Sequence, residues 1–352
     1  MTKMNLTNNS SEHCVDFLAL QTPLAVFYSI IFVLGLTGNL VALWVFFCVN
    51  SKKNSVRVFL INVAFADLLL VVCLPFRIIY HSQGNTWNLN HRLCIVVGGI
   101  FYMNMYISIT LLGLISVDRY LKIHCNARVR HRLSRKWSTV LCTAVWTGAF
   151  AMIFMFLISG DEDNNERCFH YKTLHHAKWK SYINMTSVAI FWLVFISLAM
   201  SYGKIALKLL KTSQERPDLP NAQCYTRTAK KSFFILFVFI FCFVPYHSTR
   251  VFYIITQITD ISCFWRDVAD KANEVTLLLS AFNSCLDPVM FFVLSSSVRK
   301  EVQRLVSSVF CVRDVARVSG SSSSVEVDSR GRTELISNMN VSSNLRATLT
   351  PA

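Results

Sequence analysis

Residues 57–80 read RVFLINVAFADLLLVVCLPFRIIY, and this stretch decides the fold class. Apart from the terminal Arg57, only Asp67 and Arg77 in it carry a charge. An α-helix needs about 20 consecutive, mainly apolar residues to cross the hydrocarbon layer of a membrane, which is about 30 Å thick. Because β-strands are much shorter than this run, the stretch predicts a membrane-spanning helix.

Six further stretches of similar length and composition predict that the chain crosses the membrane seven times. Of the 352 residues, 53% are hydrophobic and only 16% are charged, which is unlike the composition of ordinary soluble proteins. We therefore predict an all-α fold, a seven-transmembrane helix bundle over residues 24–294. The predicted spans are 24–48, 57–80, 93–123, 137–158, 182–209, 230–257 and 272–294.

Positive charge is distributed unevenly between the two ends of these helices. The formal net charge is +15, and lysine and arginine gather in the odd-numbered connections and after the seventh span. Such basic segments stay in the cytoplasm. We expect a multi-pass protein of the plasma membrane, with residues 1–23 extracellular and the C-terminus cytoplasmic. The basic surface would face anionic membrane lipids or an intracellular protein, and no nucleic acid partner is expected.

Sequons and cysteines agree with an extracellular N-terminal tail. Asn5, Asn8 and Asn9 each begin an N-glycosylation sequon. Four of the 12 cysteines fall on the predicted outer side, where disulfides form, and three pairings of these four are open. The four are Cys14, Cys94, Cys168 and Cys263.

The segment after the seventh span divides into two parts. Residues 295–311 predict a short amphipathic helix on the inner leaflet, because apolar and basic side chains fall on opposite sides of residues 297–310. Cys311 at its end is an expected palmitoylation site. Residues 312–352 lack apolar periodicity and contain a serine-rich run at 319–324, so we expect a disordered tail.

Seven helices alone do not distinguish a receptor from a transporter or an intramembrane enzyme. No span contains Gly-x-Ser-x-Gly, His-Glu-x-x-His or Cys-x-x-Cys, so an enzyme is not expected. A hydrolase with a dispersed zinc site stays open. The two halves of the chain lack the inverted symmetry typical of transporters, and a lipid transporter or scramblase is kept as the alternative of a different class.

A series of polar, aromatic and proline positions favours a receptor. In chain order they are Gly38-Asn39, Asn62, Ala66-Asp67, Asp118-Arg119-Tyr120, Trp146, Phe239, Cys242-Phe243-Val244-Pro245, Asn283 and Asp287-Pro288-Val289-Met290-Phe291. With these motifs, residues 24–311 resemble the rhodopsin-like (class A) G-protein-coupled receptors. The resemblance implies signalling through a heterotrimeric G protein, which we expect to be of the inhibitory class. It also implies that receptor kinases and arrestin bind the serine-rich tail.

The resemblance implies a set of residues for G-protein coupling and switching. Arg119 would be held by Asp118 at rest and released to meet the G protein. Pro245 removes a backbone hydrogen bond, so the sixth helix would bend there. Phe291 lacks a hydroxyl that could be bridged by water to Tyr202. The full set is Asp118, Arg119, Tyr120, Tyr202, Phe243, Pro245, Asp287, Pro288 and Phe291.

A buried sodium ion is also implied by the resemblance. Two carboxylates buried together cannot both be charged without a cation or a shared proton. The expected sodium ligands are Asp67, Asn104, Ser108, Asn283 and Asp287. For the outer cysteines, we predict the bridges Cys94–Cys168 and Cys14–Cys263.

Phe243, Asp287 and the spacing of His247 to Arg250 resemble the purinergic-like cluster of the family. Residues 62–81, 99–108, 242–254 and 273–292 look like the lysophosphatidylserine receptors of that cluster. The implied ligand is a zwitterionic lysophospholipid with one acyl chain, and a receptor for an extracellular nucleotide or nucleotide-sugar is the alternative.

Charged residues near the outer ends of the spans suggest how such a ligand would be bound. Arg77 and Arg250 would take its anionic groups, because guanidinium binds phosphate or carboxylate through two hydrogen bonds. Glu274 would take its ammonium, or would form an internal salt bridge to Arg250. The expected ligand-binding residues are Arg77, Tyr102, Lys172, His247, Arg250, Tyr253, Asn273 and Glu274. Seven apolar residues of spans four and five either form the wall for the acyl chain or are ordinary lipid-facing surface: Met152, Phe154, Met155, Phe156, Phe191, Trp192 and Phe195.

Overall fold

The computed structural model describes residues 15–16, 18–48, 55–124, 135–158, 168–169, 171, 178–215, 220–294, 298–304 and 307. Seven long α-helices occupy most of these residues, and the described part contains no β-strand. They are α1 Gln21–Cys48, α2 Ser55–Ser82, α3 His91–His124, α4 Arg135–Ile158, α5 Lys178–Glu215, α6 Pro220–Ile258 and α7 Cys263–Leu294. All seven contain a stretch long and apolar enough to cross a membrane, so the predicted all-α bundle is confirmed.

Several helices continue beyond their predicted spans. The largest differences are in α6, which begins at Pro220 instead of residue 230, and in α7, which begins at Cys263 instead of residue 272. Apolar runs mark only the part of a helix that contacts hydrocarbon, whereas backbone hydrogen bonding continues through polar residues with good helix propensity. The extra turns of α7 carry the charged residues Asp267, Asp270 and Lys271.

The helix α3 lies at the centre of the bundle, because it packs against α2, α4, α5, α6 and α7. One continuous apolar core runs through the bundle. By contrast, many large apolar side chains of α1, α4 and α5 are exposed, as expected where helices face lipid. The described residues up to Gln303 belong to one compact unit, and Arg304 and Ser307 belong to a second.

A close approach between α1 and α7 requires a glycine at position 38. A β-carbon on Gly38 would lie 2.8 Å from the Cγ atom of Pro288, which is shorter than two carbon atoms can approach. The next residue, Asn39, joins the same helices, because its Nδ2 donates to the carbonyl oxygens of Gly35 and Ser284, at 2.9 Å in each case. The Gly38-Asn39 motif therefore holds α1 against α7.

The disulfide Cys94–Cys168 ties the start of α3 to the segment between α4 and α5. We call this end of the bundle the disulfide end. The predicted bridge is thus present in the structure. Cys263, at the first turn of α7, is also disulfide-bonded, and its predicted partner Cys14 lies outside the described residues. Val15 is buried at this end.

The remaining predicted features fall mostly outside the described residues. These are the glycosylation sites Asn5, Asn8 and Asn9, the palmitoylation site Cys311, Lys172 and the tail 312–352. A helix covers residues 298–304, inside the predicted amphipathic stretch.

Candidate functional site

Arg77 of α2 lies deep in the disulfide end of the bundle, and it is only 2% exposed. Its Nη1 is 3.1 Å from the hydroxyl oxygen of Tyr28 and 3.4 Å from Oε2 of Glu274. Its guanidinium carbon lies 4.2 Å from the ring centroid of Phe101 and 4.4 Å from that of Phe169. A buried charge needs such partners. Residues from α1, α3 and α7 and the residue after Cys168 therefore fix Arg77.

Arg250 of α6 is also buried but has a different set of partners. Its Nη1 donates to Oδ1 of Asn273 at 2.9 Å, and its Nη2 donates to Oδ1 of Asn184 at 3.2 Å. Its guanidinium carbon lies 4.8 Å from the ring centroid of Tyr253. Among the described residues it forms no salt bridge, and its Nε has no hydrogen-bond partner. The rings of Tyr102 and Tyr246 are farther away, at 5.7 and 5.8 Å.

Glu274 is the partner of Arg77, so the alternative of an internal salt bridge to Arg250 is wrong. The reason is that α7 presents Asn273 to Arg250 and the next residue, Glu274, to Arg77. The Arg77–Glu274 pair is neutral as a whole. Glu274 also attracts Arg250 at longer range without a direct contact, and the two amides beside Arg250 hold its guanidinium without neutralising it. This arrangement leaves a fixed positive charge that can attract an anion.

A column of aromatic rings leads from Arg250 into the bundle. His247 lies one turn before Arg250, and its Nδ1 donates a hydrogen bond to the carbonyl oxygen of Phe243 at 2.8 Å. Its ring stacks on Phe191 of α5, which stacks in turn on Phe239, with ring centroids 5.5 Å apart. The ring of Phe239 meets that of Phe243 edge-on at 5.4 Å. The column links α5 and α6 and ends at a predicted switch residue.

The predicted apolar wall is only partly enclosed by the bundle. Phe191 is fully buried, and Trp192 and Phe195 are partly buried. On α4, Phe156 is partly buried and stacks on Trp179. The other three predicted wall residues are exposed on the outer surface of α4, so the prediction that they line the site is wrong for them: Met152, Phe154 and Met155.

Two buried carboxylates lie near the middle of the bundle. Asp67 of α2 and Asp287 of α7 are fully buried and are close enough to hydrogen-bond to each other. Asn104 Nδ2 donates to Asp67 Oδ1 at 3.0 Å, and Asn283 Nδ2 donates to Asp287 Oδ2 at 2.7 Å. Four oxygen atoms of the expected sodium ligands lack a hydrogen-bond donor: Asp67 Oδ2, Asp287 Oδ1, Asn283 Oδ1 and Ser108 Oγ.

This set of oxygens fits a hard cation such as sodium, because carboxylate, amide and hydroxyl oxygens are the ligands that such ions prefer. The described residues contain no group of three or more histidine, cysteine or acidic side chains that could hold a transition metal. The structure therefore brings four of the expected sodium ligands together, Asp67, Asn104, Asn283 and Asp287. Ser108 is fully buried one turn from Asn104 on α3. A proton shared by Asp67 and Asp287 would satisfy the same carboxylates.

The opposite end of the bundle contains the predicted coupling residues. Asp118 is buried, and Arg119 belongs to α3, but the side chain of Arg119 lies outside the described residues. The ring centroid of Tyr120 lies 5.9 Å from Nζ of Lys204. The Tyr202 hydroxyl is hydrogen-bonded to Ser116 of α3.

The switch residues of α6 and α7 lie inside continuous helices. Pro245 and Pro288 do not end their helices. Phe291 is fully buried and packs on Phe46 of α1, with ring centroids 5.6 Å apart. Phe291 therefore stabilises this end by apolar packing.

The profile of the family described as 7 transmembrane receptor (rhodopsin family) matches residues 38–291. The chain belongs to this family. It is accordingly a multi-pass membrane receptor that signals through G proteins, and not an enzyme. The match includes the motifs of six of the seven helices, all except α5, from Gly38 to Phe291.

Individual relatives refine the position of this receptor within the family. It is 48% identical to the mouse protein named probable G-protein coupled receptor 34 over 296 residues, which cover 83% of the receptor and 79% of the relative. It is 34% identical to bovine purinoceptor 14 over 278 residues, covering 78% and 82% of the two chains. It is 32% identical to mouse cysteinyl leukotriene receptor 2, covering 81% and 91%. These relatives agree with the predicted purinergic-like cluster.

Some residues of the receptor's site were not predicted from the sequence. Asn184 could have been found, because an amide inside a span is costly unless it has a partner. The sequence does not mark Tyr28 and Phe169 as site residues, since aromatic residues are common in spans and loops. Their contacts with Arg77 depend on how α1 and the segment after α4 pack onto α2.

Proposed function

We propose that the receptor binds a lysophospholipid at the disulfide end, most specifically lysophosphatidylserine, and activates an inhibitory-class G protein. The observation that carries this proposal is the environment of Arg250, a buried guanidinium held by Asn184 and Asn273 without a carboxylate partner among the described residues. An anionic headgroup would provide the missing counter-charge.

The amides of Asn184 and Asn273 orient Arg250 before any ligand arrives. A guanidinium that is already oriented loses less side-chain entropy on binding, and it can present two parallel N–H groups to a phosphate or carboxylate. Burial strengthens this interaction, because water screens it less. The neutral Arg77–Glu274 pair would shape the pocket beside Arg250 and would contribute polar contacts without adding net charge.

An acyl chain needs an apolar surface close to the charged site. The aromatic column that begins at His247 supplies one, with Phe191 fully buried and Trp192 and Phe195 partly buried on α5. A nucleotide or nucleotide-sugar remains the second candidate, because the relatives include proteins named purinoceptors. Both candidate ligands carry an anionic group that Arg250 could bind, but only the lysophospholipid has an acyl chain.

We further propose that the disulfide end is extracellular and that the receptor resides in the plasma membrane. Disulfides such as Cys94–Cys168 form in oxidising compartments, and the sequence carries most of its lysines and arginines in the connections after α1, α3 and α5 and after α7, which is typical of cytoplasmic segments. The serine-rich tail would then be accessible to receptor kinases and arrestin in the cytoplasm.

Signal transfer would use the aromatic column. A ligand that shifts Arg250 also moves His247, which lies one turn away on α6, and thereby the ring of Phe191 on α5. Pro245 lies within this column on α6, between Phe243 and His247, so a small displacement at His247 can become a larger one at the G-protein side. Arg119, beside the buried Asp118, would receive the G protein there.

The test is nucleotide exchange on purified inhibitory-class G protein, measured with membranes that contain the receptor. Lysophosphatidylserine should stimulate exchange, the same headgroup without its acyl chain should not, and nucleotides and nucleotide-sugars should be inactive. Arg250→Ala should abolish the response, whereas Arg92→Ala, an exposed arginine at the same end, should leave it intact. A response to nucleotide-sugar and not to the lipid would overturn the proposal.

A further inference from the structure

Asp270 of α7 is a buried acidic residue close to the residues that hold Arg77 and Arg250. It is 7% exposed, and its carboxylate forms no hydrogen bond or salt bridge within the part of the chain that the structure describes. The neighbouring cations have closer partners: Lys271 Nζ lies 2.7 Å from Oδ2 of Asp267 and attracts Asp270 only at longer range, and Arg266 lies 3.6 Å from Asp260. The acidic Asp267 and Glu274 also lie within electrostatic range of Asp270. Such a carboxylate is unfavourable unless a cation reaches it.

The position of Asp270 on α7 places it with the ligand cluster. Residues three and four apart share one face of a helix, so Asp270 lies on the same face as Asn273 and Glu274. Asn273 holds Arg250, and Glu274 pairs with Arg77. Asp270 is therefore one turn from both contacts, toward the disulfide end.

Two tyrosines pack together with Ala269, the residue before Asp270 on α7. Tyr253 and Tyr171 both lie within electrostatic range of Asp270, and their rings meet edge-on with centroids 5.5 Å apart. The hydroxyl of Tyr171 donates to the carbonyl oxygen of Thr256 at 2.6 Å, which fixes that ring. Aromatic rings beside a carboxylate form a favourable environment for an organic ammonium ion.

We propose that Asp270 binds the ammonium group of the ligand and thereby sets the receptor's preference for a zwitterionic lipid over an anionic one. The inference rests on the proposed lysophospholipid function. It replaces the expectation that Glu274 binds the ammonium, because the charge of Glu274 is already used by Arg77. Tyr253 contacts Arg250 and lies close to Asp270, so a headgroup with both charges can span the two sides of its ring.

A purely structural role for Asp270 makes a different prediction. Arg266 precedes Asp270 by four residues, a spacing that permits a salt bridge on a helix. If Asp270 served only to hold Arg266, then Arg266→Gln and Asp270→Asn would have the same effect on every ligand. A ligand contact instead predicts an effect that depends on the amine of the ligand.

The experiment measures binding to receptor-containing membranes of two lipids with the same acyl chain. One is lysophosphatidylserine, and the other carries 3-hydroxypropionate in place of serine and so lacks only the amine. Asp270→Asn should weaken binding of the amine-bearing lipid by about tenfold or more, as expected for a lost charge-assisted contact in a buried site. Binding of the des-amino lipid should be unchanged, which also shows that the variant is folded.

Two control variants make the result specific. Asp270→Glu retains the negative charge and should retain the preference for the amine. Asp267→Asn, on the same helix but paired with Lys271, should behave as the unaltered receptor does. Equal weakening of both lipids by Asp270→Asn, or an unchanged preference, would overturn the inference. If the unaltered receptor binds neither lipid, the proposed function itself fails, and that outcome is distinct.

Discussion

The imidazole of His247 lies face to face on the ring of Phe191, with 3.6 Å between the ring centroids and 8° between the ring planes. This is the tightest ring contact between α5 and α6 among the described residues, and it stands one helical turn from Arg250. The two residues thus connect the proposed headgroup site with the aromatic column that ends at Phe243.

Replacing Phe191 with leucine should uncouple binding from signalling. Leucine keeps the apolar volume but cannot stack on His247, so movement of α6 would no longer be passed to α5. Because Phe191 also belongs to the proposed apolar wall, some loss of lipid affinity is expected, but ligand-stimulated nucleotide exchange at saturating lipid should fall further, by about fivefold or more, as for coupling energies of about 1 to 3 kcal/mol. Phe154→Leu, at an exposed position on α4, is the control. Equal losses of affinity and exchange would argue against a relay.

Arg250→Lys should behave much like Arg250→Ala. Lysine keeps the charge but has no planar fork to bind Asn184 and Asn273 together, so its ammonium would not be oriented toward the ligand. Loss of a buried charge-assisted contact corresponds to about 2 to 5 kcal/mol, or roughly 30-fold or more in affinity for every anionic ligand. Radioligand competition measures this. Near-normal affinity of the lysine variant would show that charge alone is sufficient.

The buried pair Arg77–Glu274 should be more sensitive to the loss of one member than to the loss of both. Glu274→Gln leaves Arg77 uncompensated, which should destabilise the receptor by about 3 to 5 kcal/mol. Adding Arg77→Gln should recover part of this loss, because no unpaired charge remains. Thermal unfolding of ligand-free receptor in detergent provides the measurement. Additive losses in the double variant would contradict a direct pair.

Sodium should stabilise the receptor through Asp67 and Asp287. A cation that binds only the folded state at about ten times its Kd adds about 1.4 kcal/mol. The Tm of the ligand-free receptor should therefore rise in NaCl relative to N-methylglucamine chloride at the same ionic strength. Asp67→Asn should abolish the difference, whereas Asp267→Asn should preserve it. A sodium effect that survives Asp67→Asn would place the ion elsewhere.

The fold could be predicted from the sequence because each of the seven long apolar runs can satisfy its backbone hydrogen bonds inside a membrane only as an α-helix. The identity of the charged site residues could also be predicted, since an ionised group inside a span is rare without a function. The partner of Glu274 could not, because the choice between Arg77 and Arg250 depends on the rotation of α7 about its axis. Asp270 was missed for a simpler reason: the predicted seventh span began at residue 272, after it.

The contact of Gly38 with Pro288 joins the first transmembrane helix to be synthesised with the last. Until α7 has entered the membrane, the amide of Asn39 lacks the carbonyl oxygen of Ser284, and one flank of α1 has only lipid beside it. Final assembly of the bundle must therefore wait until α7, Cys263–Leu294, has entered the membrane. A chain truncated before α7 would present a polar amide within the bilayer, a feature by which cellular quality control can distinguish incomplete receptors from finished ones.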